Sequence, residues 1–165
     1  VGKALADGIL LDLPLSPHFR NALLGRRNGL DHLERFDSQL HKSLVALRCM
    51  NAEDISALTL TFSVSIDSFG AHRVVELVPN GQSIAVTASN VGSYVIHYAD
   101  FILNRQNRLQ TSAFQSGLHS IVESTALQIF SSQELDVLFQ GSESEVGLDV
   151  ADWRRNTKVN PPEDA

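Results

Sequence analysis

Between Ser38 and Ser65 the spacing of apolar residues changes period, and that change bounds the fold more tightly than any other feature of the chain. Leu40, Leu44 and Leu47 recur at i, i+4 and i+7, a single stripe along a helix over 38–48. From Leu58 onward Leu58, Leu60, Phe62 and Val64 alternate with polar residues, as on a half-buried strand. A helix-period pattern does not settle as a strand, nor the reverse, so both element types must coexist here. "RVVELV" and "SIAVT" read as further short strands, and "PNGQ" between them reads as a tight turn. A three-stranded antiparallel sheet over about 58–87 is expected, flanked by helices.

The flanking segments carry helix punctuation. In "SPHFRNALLG" Ser16 can cap, Pro17 suits the first helical position and Gly25 suits the exit. Residues 1–11 read as a helix weakened by Gly2 and Gly8. "TASN" offers caps for a helix from about Ser89 to Leu103, and another helix follows through "TSAFQSGLHSIV". Ser131 and Glu134 have capping-box spacing, and Gly141 can end the helix they start. That helix contains "ELDVLFQGS", close to the recognition sequence of a viral cysteine protease, but its cap and its apolar Leu135, Val137, Leu138 and Phe139 mark it as native. "DVADWRRNT" supplies one more helical turn, and 159–165 reads as a frayed tail. The fold class is α+β: mainly helical, with a small antiparallel sheet and its flanking helices forming a subdomain over roughly 38–104.

On the helix from Ser89, Val91, Val95, Tyr98 and Ile102 share one face, the expected core stripe. Tyr94 lies roughly 80° from its centre together with Phe101, a second aromatic flank suited to a half-exposed role.

The chain has 165 residues, 43% of them hydrophobic and 19% charged, which is enough apolar surface for one well-formed domain. A net charge of −6 without a Lys/Arg cluster argues against nucleic acid. No apolar run reaches the roughly 18 to 20 residues that cross a bilayer, so no membrane partner is expected, and a cytoplasmic, or also nuclear, location follows. The six histidines lack metal-ligand spacing, so neither metal nor cofactor is expected. Asp149, Asp152 and Glu123 read as caps or solvated charges, and Trp153 with Arg154 and Arg155 makes a poor nucleic-acid patch beside the acidic "GSESEV".

Cys49 is the single cysteine. It falls at the C-terminal end of the 38–48 helix, where the helix dipole opposes negative charge, and its sequence neighbour Arg48 points to another side. A thiol nucleophile needs the opposite surroundings. Cys49 is read as non-catalytic.

"GKALADGILLDLPLSPHF", "LTFSV", "VELVPNGQSIAVTASN", "YVIHYADFILNRQ", "AFQSGLHSIV", "FSSQELDVLFQGSE" and "DVADWRRNTK" together resemble consecutive signature segments of the HECT class of ubiquitin-protein ligases, in family order from the first residue to about Lys158. The resemblance implies that residues 1–158 are part of the N-terminal lobe of a two-lobed enzyme, cut from a longer chain. A smaller C-terminal lobe would carry the cysteine that accepts ubiquitin as a thioester before a substrate lysine receives it. It also implies a ubiquitin-conjugating enzyme and ubiquitin as partners, with protein substrates held by regions outside this chain. In such a lobe a shallow apolar groove receives loops of the conjugating enzyme, and position by position that groove falls on Leu40, Leu44, Leu58, Tyr94 and Tyr98. The alternative is a degenerate HECT-like interaction scaffold that keeps the fold without ligase activity.

Overall fold

A computed structural model of the protein describes residues 1–11, 13–68, 70–141 and 154–157. Helix α1 (Gly2–Ala6) is followed by α2 (Pro17–Leu23), which starts with Pro17 at its first position and exits through Gly25 at φ +71°. Gly25 has the left-handed backbone that the sequence assigns to a helix exit. Two short helices absent from the sequence expectations come next in the same region: α3 (Leu30–Phe36) and, after α4 (Ser38–Arg48), α5 (Ala52–Ala57). Both α4 and α5 are capped by local side chains, Asp37 accepting from the Leu40 N–H and Asn51 from the Asp54 N–H.

Strands β1 (Ser63–Ser68) and β2 (Ala71–Glu76) form an antiparallel ribbon in which Val64 faces Val75 and Ile66 faces Arg73. The expected third strand is a correction. "SIAVT" makes only an isolated bridge, Thr61 to Ala85, fixed by the Phe62 N–H donating to the Ile84 carbonyl and the Val86 N–H to the Leu60 carbonyl. Two local features shorten this pairing. Leu58 closes α5 and Thr59 has φ +48°, so extended backbone begins only at Leu60. The "PNGQ" segment is not a hairpin turn either: Asn80 is left-handed and Gly81–Ser83 form one 3₁₀ turn. There the Gly81 backbone lies so close to the Phe62 carbonyl that any Cβ would collide with it.

Helix α6 (Val91–Asp100) continues into one π-helical turn, Phe101–Arg105. Its core face differs from the expected stripe. Val91 and Val95 are buried as predicted, but Tyr94 is only 4% exposed and Phe101 is buried, whereas Tyr98 and Ile102 are half-buried. Two causes account for the rotation. The π turn adds a residue to the turn and shifts everything after Asp100 relative to a 100° period. Tyr94 is also enclosed, its ring meeting Phe62 edge-on at 5.5 Å and Tyr98 at 5.8 Å. The half-exposed tyrosine is therefore Tyr98, not Tyr94 as the sequence predicts.

Helices α7 (Arg108–His119), α8 (Ser124–Gln128) and α9 (Ser132–Gln140) complete the described fold, α8 being another helix without a sequence expectation. The capping box of α9 is formed as predicted: Ser131 Oγ accepts from the Glu134 N–H, and Glu134 accepts from the Ser131 N–H at 2.7 Å. Leu135 on this helix is 0% exposed, so the protease-like segment is core. Residues 154–156 are helical, which agrees with part of the turn read at "DVADWRRNT". Asp149, Asp152, Trp153 and the 159–165 tail lie outside the described residues.

Two apolar clusters result among the described residues. The first spans Leu33 to Leu103 and joins α3–α6 to the ribbon. The second gathers Leu23 and Leu24 with Leu118, Leu127, Leu135 and Phe139. A polar clasp links them: Asn21 donates to buried Asn28, Asn28 donates to the His18 carbonyl, and Asn104 donates to both the Asn28 carbonyl and Asp100.

Candidate functional site: an apolar groove on the first cluster

On the surface of the first cluster, α4, the end of α5 and α6 enclose an open groove of about 420 Å³. Helix α4 contributes Leu40, Leu44 and Leu47, because their spacing brings one stripe toward α6. The C-terminal end of α5 contributes Leu58, and α6 contributes Tyr94 and Tyr98 one turn apart. All five residues singled out from the sequence line this one groove, together with Leu60 and Met50.

The five do not have equal exposure. Leu44 and Tyr94 form the buried base, while Leu40 and Tyr98 are half-buried. Leu58 is 46% exposed and Met50 40%, large apolar side chains that project at the rim. Leu58 acquires this position by closing α5 instead of opening a strand.

The groove is apolar and uncharged. Burial, with Tyr98 adjacent, pushes the Tyr94 phenol up to about 12, and burial together with the Asp37 carboxylate raises that of Tyr98. Both rings are neutral near pH 7. No lining residue carries a charged side chain; apart from Ser43 and the two tyrosine hydroxyls, the surface is apolar area. Cys49, the exposed C-cap residue of α4, is not among the groove-lining residues.

Sequence reasoning missed five lining residues: Ser43, Ala46 and Leu47 on α4, and Met50 and Leu60. Leu60 belongs to the same alternating set as Leu58 and could have been found by asking which face of that set meets α4. Met50 follows Cys49 just past the α4 exit, where no periodicity marks it.

The chain, an α+β fold with an apolar groove on its first cluster, matches the HECT-domain (ubiquitin-transferase) family model over residues 1–164 and belongs to that family. Among curated relatives it is 35% identical over 160 residues to E3 ubiquitin-protein ligase ptr1 of Schizosaccharomyces pombe, covering 97% of this chain and 5% of that protein. It is 36% identical over 160 residues to E3 ubiquitin-protein ligase TOM1-like of Neurospora crassa, covering 97% and 4%. With human Ubiquitin-protein ligase E3B it shares 34% identity over 162 residues, covering 95% and 15%. The chain thus spans between 4% and 15% of the length of these relatives.

Proposed function

We propose that this lobe recruits a ubiquitin-conjugating enzyme through the groove of Leu40, Leu44, Leu58, Tyr94 and Tyr98, within a parent ubiquitin-protein ligase. In that reading the ubiquitin thioester on the conjugating enzyme is attacked by a cysteine thiolate on a C-terminal lobe of the parent. The first thiol leaves, and a substrate lysine amine then displaces the second to form the amide. Cys49 takes no part. The lobe alone is inactive in transfer, and its role is to hold the donor in place.

The single observation that carries this reading is the convergence of the five residues, drawn from three elements, on one uncharged groove with an exposed leucine at its rim. Family membership supports the reaction class. The conjugating enzyme must leave to be recharged, so the contact is small and transient, with a Kd near micromolar, about −8 kcal/mol.

Leu58 gives the cleaner test. Tyr94→Ala removes a buried ring and costs folding about 3 kcal/mol or more, so its effect on binding is confounded. Leu58→Glu places a charge at an exposed rim position. It is expected to weaken binding of the lobe to its conjugating enzyme by roughly tenfold or more in a calorimetric titration, with the melting temperature nearly unchanged. Unaltered affinity in Leu58→Glu overturns the assignment, and a folded lobe that binds no member of a conjugating-enzyme panel favours the scaffold alternative.

A further inference from the structure

A second cavity of about 610 Å³ lies on the side of the molecule formed by the exit of α2, the π turn and the first turn of α7. Four arginines line it: Arg26, Arg27, Arg105 and Arg108, and its lining residues include no carboxylate. The chain has 13 Lys and Arg against 19 Asp and Glu, so convergence of four cations on one cavity runs against the overall charge. It arises because "RRN" leaves α2 beside "NRQNR", which spans the π turn and the start of α7.

These charges are only partly compensated. Asp100 takes both Arg27 Nη2 at 2.8 Å and Arg105 Nε at 3.6 Å, one carboxylate for two guanidinium groups. Arg26 donates to the Phe130 carbonyl at 2.8 Å, a neutral partner, with the Glu134 carboxylate in electrostatic reach. Arg105 lies 5.5 Å over the Phe101 ring, an interaction that leaves its charge in place. Arg108 makes no ion pair or side-chain hydrogen bond among the described residues, and as the first residue of the 12-residue α7 it adds to the positive end of that helix. The wall is also preorganised, because Asn104, which lines the cavity, is held by the Asn28 carbonyl and Asp100 at 2.9 and 2.8 Å.

The chemistry selects the ligand. A cavity furnished by arginine and no lysine favours planar or tetrahedral oxyanions that accept two N–H groups at once. Leu109, 78% exposed on the same wall, and Phe19 add apolar area that a bare polyanion would leave unused. Carboxylates together with an apolar side chain describe a peptide. We propose that this cavity binds an acidic peptide segment of a protein partner, rich in Asp and Glu and carrying a bulky apolar residue that seats on Leu109. The site is separate from the apolar groove, and occupying it does not require the conjugating enzyme.

The test titrates the full 165-residue chain into a short fluorescein-labelled peptide of glutamate and aspartate around one leucine, read by fluorescence anisotropy. Saturable binding that weakens steeply with salt is expected, with loss of about tenfold in affinity in each of Arg26→Glu and Arg108→Glu. Arg108→Gln serves as the second variant, since it keeps a good helix former at that position, and circular dichroism establishes that each variant is folded. Substituting the peptide's leucine with serine is expected to weaken binding as well. Four results overturn the proposal: no binding at low salt, equal binding of a peptide in which Gln and Asn replace Glu and Asp, unchanged affinity in the folded charge-reversal variants, or displacement of the peptide by inositol hexakisphosphate or single-stranded DNA that binds more tightly than it does.

Discussion

The two apolar clusters are built in contrasting ways. The first comes from one continuous stretch, Leu33 to Leu103, in which α3 and α4 both pack on α6. The second brings together both ends of the described chain, Leu23 and Leu24 from one side and Leu118 to Phe139 from the other. Closing a short loop costs less entropy than closing a long one, so the first cluster assembles at lower cost. The second is held by long-range polar clamps as well as by its apolar contacts. Arg20 donates to Asp136 at 2.6 Å, Gln115 donates to the Ala22 carbonyl, and Gln140 donates to the Leu13 carbonyl. The groove belongs entirely to the locally closed cluster. On this reading the groove is expected to stay formed when the second cluster loosens.

The largest effect is expected from Leu135→Ala, which empties a fully buried position in the second cluster. A cost of about 2–5 kcal/mol is expected. Native-state hydrogen exchange should then show protection falling in α2, α7 and α9 and persisting in α4 and α6. Equal loss of protection in α4 and α6 would mean that the clusters are a single cooperative unit.

Asn28→Ala attacks the clasp between the clusters. It strands buried polar partners at Asn21 and at the His18 carbonyl, and is expected to cost about 1–3 kcal/mol. Urea unfolding followed by two probes, one in each cluster, should change from coincident to separated transitions. Transitions that remain coincident would show that the clasp does not couple them.

The smallest effect sharpens the description of the groove base. Tyr94 has its pKa raised from 10.0 to about 12 in the fold, so the folded state prefers the neutral phenol. That preference stabilises fully below pH 10 and is lost as pH rises from 10 to 12. The chain has two tyrosines, and comparison with Tyr94→Phe isolates this one in an alkaline absorbance titration. Its phenolate should emerge near pH 12 or with unfolding. A Tyr94 phenolate near pH 10 in the folded lobe would contradict the burial seen here.

What could be read from sequence follows the range over which each feature is decided. Helices α2, α4 and α9 were legible because Pro17, the Leu40–Leu44–Leu47 stripe and the Ser131–Glu134 box act within one or two turns. Helix α5 has no sequence expectation although Asn51 caps it ahead of Glu53 and Asp54, and the alternating leucines downstream draw Leu58 into a strand it does not join. The third strand shrinks to a single bridge because Leu58 closes α5, Thr59 is left-handed and Gly81–Ser83 form a 3₁₀ turn, backbone choices that an alternating apolar pattern does not encode. The groove's membership came from family resemblance and its five positions do gather in space. Their exposure was misjudged at Tyr94, because the Phe62 ring that covers it comes from another element.

The most direct measurement of the central claim is an amide NMR titration of labelled lobe with ubiquitin-conjugating enzymes, run in parallel on Leu58→Glu. Docking at the groove predicts shifts clustered at Leu40, Met50, Leu58 and Tyr98, absent in the folded variant, with residues around Leu135 undisturbed. Shifts centred on the second cluster, or a pattern that survives Leu58→Glu, would contradict it.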